Sequence, residues 1–215
     1  MAEVRGEPAL GLRERKKQRT RATLINAAVE LCERQGFERT TVDQIAAIAD
    51  VSPRTFSRYF ATKDAIALAL IDEAITQAAV ELSRQPTDIG PFEALRRSYV
   101  AMYSGTKTAP PGGLSSDRMM CTVRIIISSA ALRHAAIEYR HHPVNIELAK
   151  RMGLDLEDRR LKLVACMWAT FIMTALGDLG ADTDWQRVGI DDVVSRLEAA
   201  FAEFTELVDG VRHSV

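Results

Sequence analysis

Residues 41 to 63 constrain the fold of this chain more than any other segment, because they encode two short helices joined by a tight turn and the start of a third. Thr41 is placed to cap the first helix, and Gln44 stands three residues later, which is the spacing of a capping box. One face of this helix should be buried, since its apolar residues recur at helical spacing: Val42, Ile45, Ala46 and Ala49.

A second helix follows after a break at residues 50 and 51. Ser52 is placed to cap it, and Pro53 occupies the first helical position, where the missing N–H costs nothing. Asp50 falls in the turn, where a left-handed backbone is cheapest for glycine but is tolerated by Asp better than by most residues. Two helices joined in this way predict a helix-turn-helix, which many proteins use to bind DNA.

The outward side of the second helix has the chemistry of a DNA-reading surface. Phe56 and Phe60 are four residues apart and should face inward, so Arg54 and Arg58 project from the opposite side. A guanidinium can grip guanine with two hydrogen bonds or clamp a phosphate. The competing interpretation is a solvated helix, but such a surface usually includes acidic residues, and residues 52 to 63 contain none. The predicted DNA contacts of this segment are Thr41, Ser52, Pro53, Arg54, Thr55, Ser57, Arg58, Tyr59 and Lys63.

Two further basic features support this interpretation. Lys63 opens the next helix, where the macrodipole disfavours a cation and a nearby phosphate would compensate; a solvated lysine at a frayed end is the alternative. Upstream, residues 13 to 21 carry six Lys or Arg against Glu14 alone. We expect Lys17 and Arg19 to lie along the DNA backbone or in a minor groove, although a charge run is also typical of plain surface. Residues 1 to 12 are predicted to be a disordered arm.

A longer pattern extends over three helices. A helix ending in Gln35-Gly36-Phe37 is followed by Thr40-Thr41-Val42, Ile45-Ala46, Val51-Ser52, Thr55-Phe56, Tyr59-Phe60 and Lys63-Asp64. In residue type and spacing, residues 17 to 64 resemble the DNA-binding domain of the TetR family of bacterial transcriptional regulators. The resemblance implies a homodimer that occludes a promoter and leaves it when a small molecule binds the C-terminal domain. Family members usually carry Gly where this chain has Asp50, so the turn is expected to form at a modest cost.

Composition bounds the remainder of the chain. Residues 10 to 63 carry eleven Lys or Arg against six Asp or Glu, whereas the whole chain has a net charge of −1, so the rest is acidic. We find no signal peptide, no apolar run long enough to span a bilayer and no catalytic or phosphate-loop motif. We therefore expect a cytoplasmic protein with no membrane partner, cofactor or enzymatic activity. Cys32, Cys121 and Cys166 are isolated in the sequence and are expected to be buried free thiols, with a redox switch as the alternative.

Helical patterns continue to the end of the chain, so an all-α fold of about nine helices is predicted. A three-helix DNA-binding domain is expected at residues 13–62 and a helical effector-binding and dimerisation domain at 63–215. In the second domain, a long helix should run from about residue 62 to 84, with Leu68, Ile71, Ile75 and Leu82 on one side. Further helices are expected at about 92–104, 117–128, 131–152 (kinked or split at Pro143), 157–179 and 190–211.

The last two helices predict how the chain associates. The final helix carries a continuous apolar stripe, and the preceding helix is apolar nearly all round, so it must be covered on more than one side. Two such helices from each of two subunits would form a four-helix interface, as the resemblance implies. The alternative is that both stripes close the core of a single chain. A dimer would place two recognition helices about 34 Å apart, which suits a palindromic operator in double-stranded DNA.

A ligand site is expected in the C-terminal helices, where Met and aromatic residues suit an adaptable pocket for a small hydrophobic effector such as a fatty acid or acyl-CoA. Such stripes are more often plain core. Arg124 has three candidate roles: pairing with an internal acid, extending to the surface, or meeting the acidic head of a ligand. The predicted ligand contacts are Tyr99, Met102, Tyr103, Met120, Arg124, Met167, Trp168 and Phe171.

No metal site is predicted. His134, His141 and His142 surround Glu138, but Pro143 disturbs the helix there and no third well-placed ligand is evident.

Together these features predict a ligand-responsive transcriptional regulator, most simply a repressor whose long helix moves the two DNA-binding heads when ligand binds. An all-α ligand carrier or enzyme with a purely structural helix-turn-helix is the alternative, and it would bind or convert a ligand without retaining DNA.

Overall fold

The computed structural model describes residues 11–110, 112–138, 142–180 and 182–212, and within them the chain is all-α, as predicted. These residues form ten α-helices, one turn of 3-10 helix at Thr106–Thr108 and no strand. The helices are α1 (Leu12–Gln35), α2 (Val42–Ile48), α3 (Pro53–Ser57), α4 (Lys63–Ser83), α5 (Pro91–Gly105), α6 (Ser116–Ser128), α7 (Ala130–Glu138), α8 (Pro143–Met152), α9 (Arg159–Ala175) and α10 (Ile190–Arg212).

The count exceeds nine because the segment expected over 131–152 is two helices. Helix α8 begins at Pro143 itself, where the first helical position needs no N–H donor. At the other end of the chain, Leu12 already belongs to α1, while residues 1–10 of the expected arm lie outside the described residues.

The helix starts predicted around the helix-turn-helix are confirmed. The Thr41 hydroxyl accepts a hydrogen bond from the Gln44 N–H, and the Gln44 side chain accepts one from the Thr41 N–H, which completes the capping box. The hydroxyls of Ser52 and Thr62 each accept from the N–H three residues later, at the starts of α3 and α4. These caps fix where each helix begins and therefore the direction in which α3 presents its side chains.

The turn between α2 and α3 has the left-handed backbone expected from the sequence. Asp50 has a φ of 52°, and no other non-glycine residue in the described ranges has a positive φ. Such a backbone costs roughly 1 kcal/mol at a residue with a side chain. The cost is modest, and the turn forms.

Helices α1 to α3 and the first half of α4 share one apolar core, which we call the head. Phe56 and Phe60 face inward as predicted, with ring centroids 6.0 Å apart. The face of α1 that covers the helix-turn-helix is also buried, at Leu24, Ala28, Leu31 and Cys32. Other helices complete this core with Ile66, Ala67, Leu70 and Ile71 from α4, Cys121 and Ile125 from α6, and Leu132 from α7.

The second half of α4 packs with α5, α8, α9 and α10 around a second core, which we call the body. Arg96 on α5 ties two of these helices together, because it donates to Glu93 on its own helix and to Glu198 on α10. One expected core residue of α4 is wrong: Leu68 is exposed, since the buried stripe of that helix passes through Ile66 and Leu70 on the other side.

The apolar stripes of α9 and α10 are only partly buried. Phe171 contacts Phe201 and Phe204, while Asp178 pairs with Arg196, so the two helices run antiparallel. The start of the α10 stripe is buried in the body, but four large apolar side chains toward one end of the pair are exposed. This α9–α10 surface consists of Leu163 (53% exposed), Met167 (45%), Leu207 (72%) and Val208 (36%).

The expectation of buried free thiols is confirmed for Cys32 and Cys121 and is wrong for Cys166. Cys166 is exposed, because it lies on the open side of α9. Cys32 on α1 and Cys121 on α6 are free and buried, and their side chains are hydrogen-bonded to each other. That bond lowers the pKa of Cys32 and, together with burial, raises the pKa of Cys121.

Within the described ranges, none of the helices combines the length and apolar character needed to cross a membrane. The same ranges hold no group of three His, Cys, Asp or Glu side chains that could bind a metal ion, and His141 lies outside them.

Candidate nucleic-acid interface and ligand cavity

The outward side of α3 is exposed and basic. The helix is only five residues long, but Arg58 keeps helical backbone angles (φ −75°, ψ −22°), so Arg54 and Arg58 stay on one side. Both side chains are exposed. Of the other predicted contacts here, Ser52, Pro53 and Ser57 are exposed, and Thr55 and Tyr59 are half-buried. The fold therefore brings these seven residues together on one small surface.

The hydroxyl groups on this surface make hydrogen bonds within the protein. Ser52 caps α3, and Ser57 donates to the Pro53 carbonyl at 3.0 Å. The Tyr59 hydroxyl is hydrogen-bonded to Thr20 on α1, which lowers the pKa of Tyr59, and the Arg58 guanidinium lies 5.5 Å from the centroid of the Tyr59 ring. The arginine side chains are thus the longest donors that this surface offers to base edges.

Lys63 has partners that the sequence did not suggest. Its ammonium donates to the carbonyls of Phe37 at 3.0 Å and Glu38 at 3.2 Å, and it lies 4.7 Å from the centroid of the Phe37 ring. Lys63 therefore ties the start of α4 to the turn after α1. Thr41 is exposed at the start of α2, where its hydroxyl is occupied in the capping box.

The basic run upstream is helical. Lys17 and Arg19 are exposed on the first turns of α1, and Arg21 lies 5.1 Å from the centroid of the Phe60 ring at the end of the helix-turn-helix. Because α1 packs on the core of the head, this run is held at a fixed position relative to α3.

A cavity of about 670 Å³ lies between α4, α5, α6, α8 and α9. Its volume falls within the range of small-molecule sites, and its walls are mainly apolar. Met102, Tyr103, Met119 and Trp168 are buried and form its inner end. Glu157, Lys162 and Cys166 are exposed and mark its opening.

Half of the predicted ligand contacts line this cavity, namely Tyr99, Met102, Tyr103 and Trp168. Met120, Met167 and Phe171 do not, because they lie on other sides of the same helices. Met120 packs against the body core, Met167 is on the α9–α10 surface, and Phe171 stacks on the far side of Trp168 with ring centroids 4.8 Å apart.

Arg124, the charged residue among the predicted ligand contacts, has partners within the protein. Its Nη1 donates to the Glu33 carbonyl at 3.2 Å, and the guanidinium lies 5.3 Å from the centroid of the Trp185 ring. Arg124 therefore bridges α6 to the end of α1 and to the segment before α10. It does not line the cavity.

Several polar residues at the cavity were missed from the sequence. Arg133, His142, Asn145, Glu157 and Lys162 come from α7, α8 and the start of α9, and no local spacing relates them. Lys162 pairs with Glu157 at the opening. Only the packing of helices distant in sequence brings these side chains together.

Comparison with known proteins gives a consistent result. The family described as bacterial regulatory proteins, tetR family, matches residues 24–70. The chain is 34% identical to the HTH-type transcriptional regulator TcmR of Streptomyces glaucescens over 214 aligned residues. The alignment covers 94% of this chain and 87% of TcmR. The chain belongs to the TetR family. It is therefore a DNA-binding transcriptional regulator, and the residues matched by the family include both helices of the helix-turn-helix, α2 and α3.

Solved TetR-family structures share the fold. SmeT, the repressor of the Stenotrophomonas maltophilia multidrug efflux pump SmeDEF, superposes with a TM-score of 0.55 at 20% identity, covering 87% of this chain and 91% of SmeT. FadR from Thermus thermophilus, a repressor solved in complex with lauroyl-CoA, superposes with a TM-score of 0.52 at 22% identity, covering 85% of this chain and 91% of FadR.

In this TetR-family chain, two helices connect the cavity to the DNA-binding head. Helix α4 lines the cavity with Ile71, Ala74 and Ile75, while its first turns are part of the head core. Helix α6 lines the cavity with Met119, Thr122, Val123 and Ile126, and places Cys121 and Ile125 in the head core. Each of these two helices therefore has side chains both in the cavity wall and in the head core.

Proposed function

We propose that this TetR-family regulator is a repressor that binds a palindromic operator in double-stranded DNA as a homodimer. A small hydrophobic molecule releases it by occupying the cavity. The observation that carries this proposal is that α4 and α6 each have one face on the cavity and another in the head core. Since its target is chromosomal DNA, we also propose that it acts in the cytoplasm.

On the DNA, Arg54 and Arg58 read base edges, and the remaining contacts position the head on the backbone. Lysine has three N–H donors, and the two carbonyls bound by Lys63 leave one for phosphate. Phosphate contacts give affinity that falls steeply with salt, whereas base contacts give sequence preference. The positioning contacts that we propose are Lys17, Arg19, Thr41, Ser52, Pro53, Thr55, Ser57, Tyr59 and Lys63.

The homodimer is supported by the α9–α10 surface. Leu163, Met167, Leu207 and Val208 form an exposed apolar surface on two antiparallel helices, and a second copy could cover it by forming a four-helix interface. Pairing two heads also supplies the two half-sites that a palindrome requires, about 34 Å apart.

The effector is a small hydrophobic molecule, because a mostly apolar cavity of about 670 Å³ favours such a ligand. Lauroyl-CoA bound to FadR from Thermus thermophilus makes a fatty acid or acyl-CoA a reasonable first class to test.

Release from DNA follows from a shift between two conformational states of the dimer, which differ in the spacing of the two heads. A ligand that binds better to the state with altered head spacing moves α4 as a lever and weakens DNA binding. A reduction of about a thousandfold requires roughly 4 kcal/mol of differential binding, which two ligands per dimer can supply at ordinary coupling energies.

The test begins with selection of bound fragments from random duplexes, which yields an operator, followed by mobility shifts with that operator and a scrambled duplex. The expected result is retention of a palindrome by a dimer, lost on addition of a hydrophobic ligand that binds the cavity. A chain that binds such ligands but retains no duplex at physiological salt would overturn the proposal in favour of a ligand carrier.

A further inference from the structure

Arg133 is a cation in the cavity wall that lacks an anionic partner among the described residues. It lines the cavity from α7, and its hydrogen bonds are two long ones of 3.4 Å, from Nη1 to the carbonyls of Ile126 and Ile127 at the end of α6. The other two oppositely charged lining residues, Glu157 and Lys162, pair with each other at the opening. The cavity wall therefore carries one positive charge that the described part of the protein does not neutralise.

The unbonded edge of this guanidinium is the edge that holds carboxylates elsewhere in the chain. Both hydrogen bonds of Arg133 come from Nη1, so Nε–H and the neighbouring Nη2–H are unbonded within the described ranges. Arg96 uses the same two nitrogens to hold the carboxylate of Glu93, at 2.8 Å each, and Arg160 holds Asp158 in the same way. Two parallel N–H donors match the two oxygens of a carboxylate.

The unbonded donors of Arg133 are accessible. Arg133 is half-buried, and the side-chain nitrogens of the described residues that are both fully buried and unbonded belong to Arg151 and Trp168. The Nε and Nη2 of Arg133 therefore retain accessible surface. Because Arg133 lines the cavity, a ligand inside the cavity can reach this edge.

The remainder of the cavity suits an apolar body. Met102, Met119 and Trp168 form its buried inner end, whereas Arg133 is only half-buried. A ligand with a hydrocarbon part at the inner end and an anion at Arg133 matches both regions of the wall. A cation that is partly removed from water binds an anion more strongly than an open surface cation does, because the effective dielectric constant is lower.

We propose that the effector is a hydrophobic carboxylic acid whose carboxylate is held by the Nε and Nη2 of Arg133, with its apolar body in the inner end of the cavity. The free acid fits this site better than a coenzyme A thioester, because the thioester carbonyl is uncharged. This inference rests on the proposed function, which assigns the cavity to the effector, and it names the charge and the binding residue of that effector.

A matched set of four probes tests the charge directly. Decanoate, decanamide and decylamine share one chain length and differ in the charge of the head, and decanoyl-coenzyme A replaces the carboxylate with a thioester. Titration calorimetry on the full-length protein at neutral pH should show decanoate binding about tenfold more tightly than decanamide, and more tightly than the other two. Equal affinity for decanoate and decanamide, tighter binding of the amine or the thioester, or no binding of decanoate up to its solubility limit would overturn the inference.

Variants locate the cation. Arg133→Met should abolish the preference for decanoate over decanamide while leaving the affinity for decanamide within about twofold. Arg133→Lys keeps the charge without the paired edge, so a smaller preference should remain. Arg159→Met is the matched control, because Arg159 is an exposed cation at the start of α9 that does not line the cavity, and it should keep the full preference. A preference that survives Arg133→Met, or one that is lost in Lys162→Met instead, would overturn the assignment.

Mobility shifts with the selected operator separate this inference from the proposed function. Decanoate should release the unchanged protein from the operator, and Arg133→Met should require about tenfold more. Selective binding of decanoate by a protein that retains no duplex would refute the proposed function alone. Release of the operator by decanamide at lower concentration than decanoate would refute the inference alone.

Discussion

Arg118 on α6 donates two hydrogen bonds of 2.9 Å to the carboxylate of Glu73 on α4, and its third hydrogen bond, also 2.9 Å, goes to the Asn26 side chain on α1. One nearly buried guanidinium therefore joins α4 and α6, the two helices that connect the cavity to the DNA-binding head, to α1 of the head. A polar junction of this kind has strong directional preferences, so it resists independent movement of any of the three helices.

Replacing Arg118 with Met should loosen this junction. Glu73 is 28% exposed and can regain some water, so we expect a loss of about 1–3 kcal/mol in the free energy of unfolding, less than for a fully buried pair. The ligand-induced drop in operator affinity should also shrink several-fold. Urea unfolding and mobility shifts with and without ligand measure the two effects. Arg34→Met, which breaks an exposed pair with Glu30, should change stability by less than about 0.5 kcal/mol.

Removing the guanidiniums of α3 should abolish sequence preference without unfolding the head. Arg54→Ala and Arg58→Ala should each cost about 1–3 kcal/mol of discrimination between the operator and a scrambled duplex, because neither side chain is part of the apolar core. Arg187→Ala removes the same charge from the segment before α10 and serves as the control. Retention of full operator preference by both variants would reject the assignment of α3.

Local features of this fold were predictable from sequence, and contacts between distant segments were not. The caps at Thr41 and Ser52 and the helix start at Pro143 depend on residues within one turn, so propensity alone places them. The partners of Lys63 lie more than twenty residues upstream, and the partners of Arg124 are about 60 and 90 residues away, at Trp185 and Glu33. No periodicity encodes such pairings. For the same reason only half of the expected cavity residues line the cavity.

Replacing Asp50 with Gly should stabilise the protein. The φ of 52° at Asp50 is unfavourable for any residue with a side chain, and glycine removes that strain, so we expect a gain of roughly 0.5–1 kcal/mol. Loss of an acidic group beside α3 should also raise DNA affinity at low salt. Asp50→Asn, which removes the charge and tolerates the left-handed backbone about as well as Asp, separates the two effects. If thermal unfolding shows that Asp50→Gly is no more stable than the unchanged protein, the strain argument is contradicted.

The pair of Glu93 and Arg96 predicts a pH dependence of stability. Hydrogen bonds from Arg96 hold the pKa of Glu93 at about 2, below its ordinary value of 4.5. Because the folded-state pKa is depressed, the stabilisation is complete above the unfolded value and is lost as the pH falls from about 4.5 toward 2. Glu93→Gln should therefore lower the free energy of unfolding by about 1–2 kcal/mol at neutral pH and by progressively less below pH 4.5. Urea unfolding at a series of pH values measures this loss. If the free energy of unfolding of Glu93→Gln differs from that of the unchanged protein by the same amount at neutral pH and below pH 4.5, the assignment is contradicted.

The three cysteines should differ in reactivity. Cys166 is exposed at the cavity opening and should react rapidly with an aromatic disulfide reagent in the native protein. Cys32 and Cys121 are buried in the head core and should react only after unfolding. Cys166→Ser should abolish the fast phase. Rapid reaction of Cys32 or Cys121 in that variant would show that the head opens readily under native conditions.

The division of α4 between two cores limits how this protein can be taken apart or recombined. Cutting the chain after Thr62 would remove Ile66, Ala67, Leu70 and Ile71 from beneath the helix-turn-helix. A chimaera that transplants new operator specificity onto this effector cavity should therefore be joined within α4, beyond Ile71, and should keep Cys121 and Ile125 compatible with the incoming helices. Specificity for DNA and specificity for effector can thus be exchanged between relatives only together with the side chains that join them.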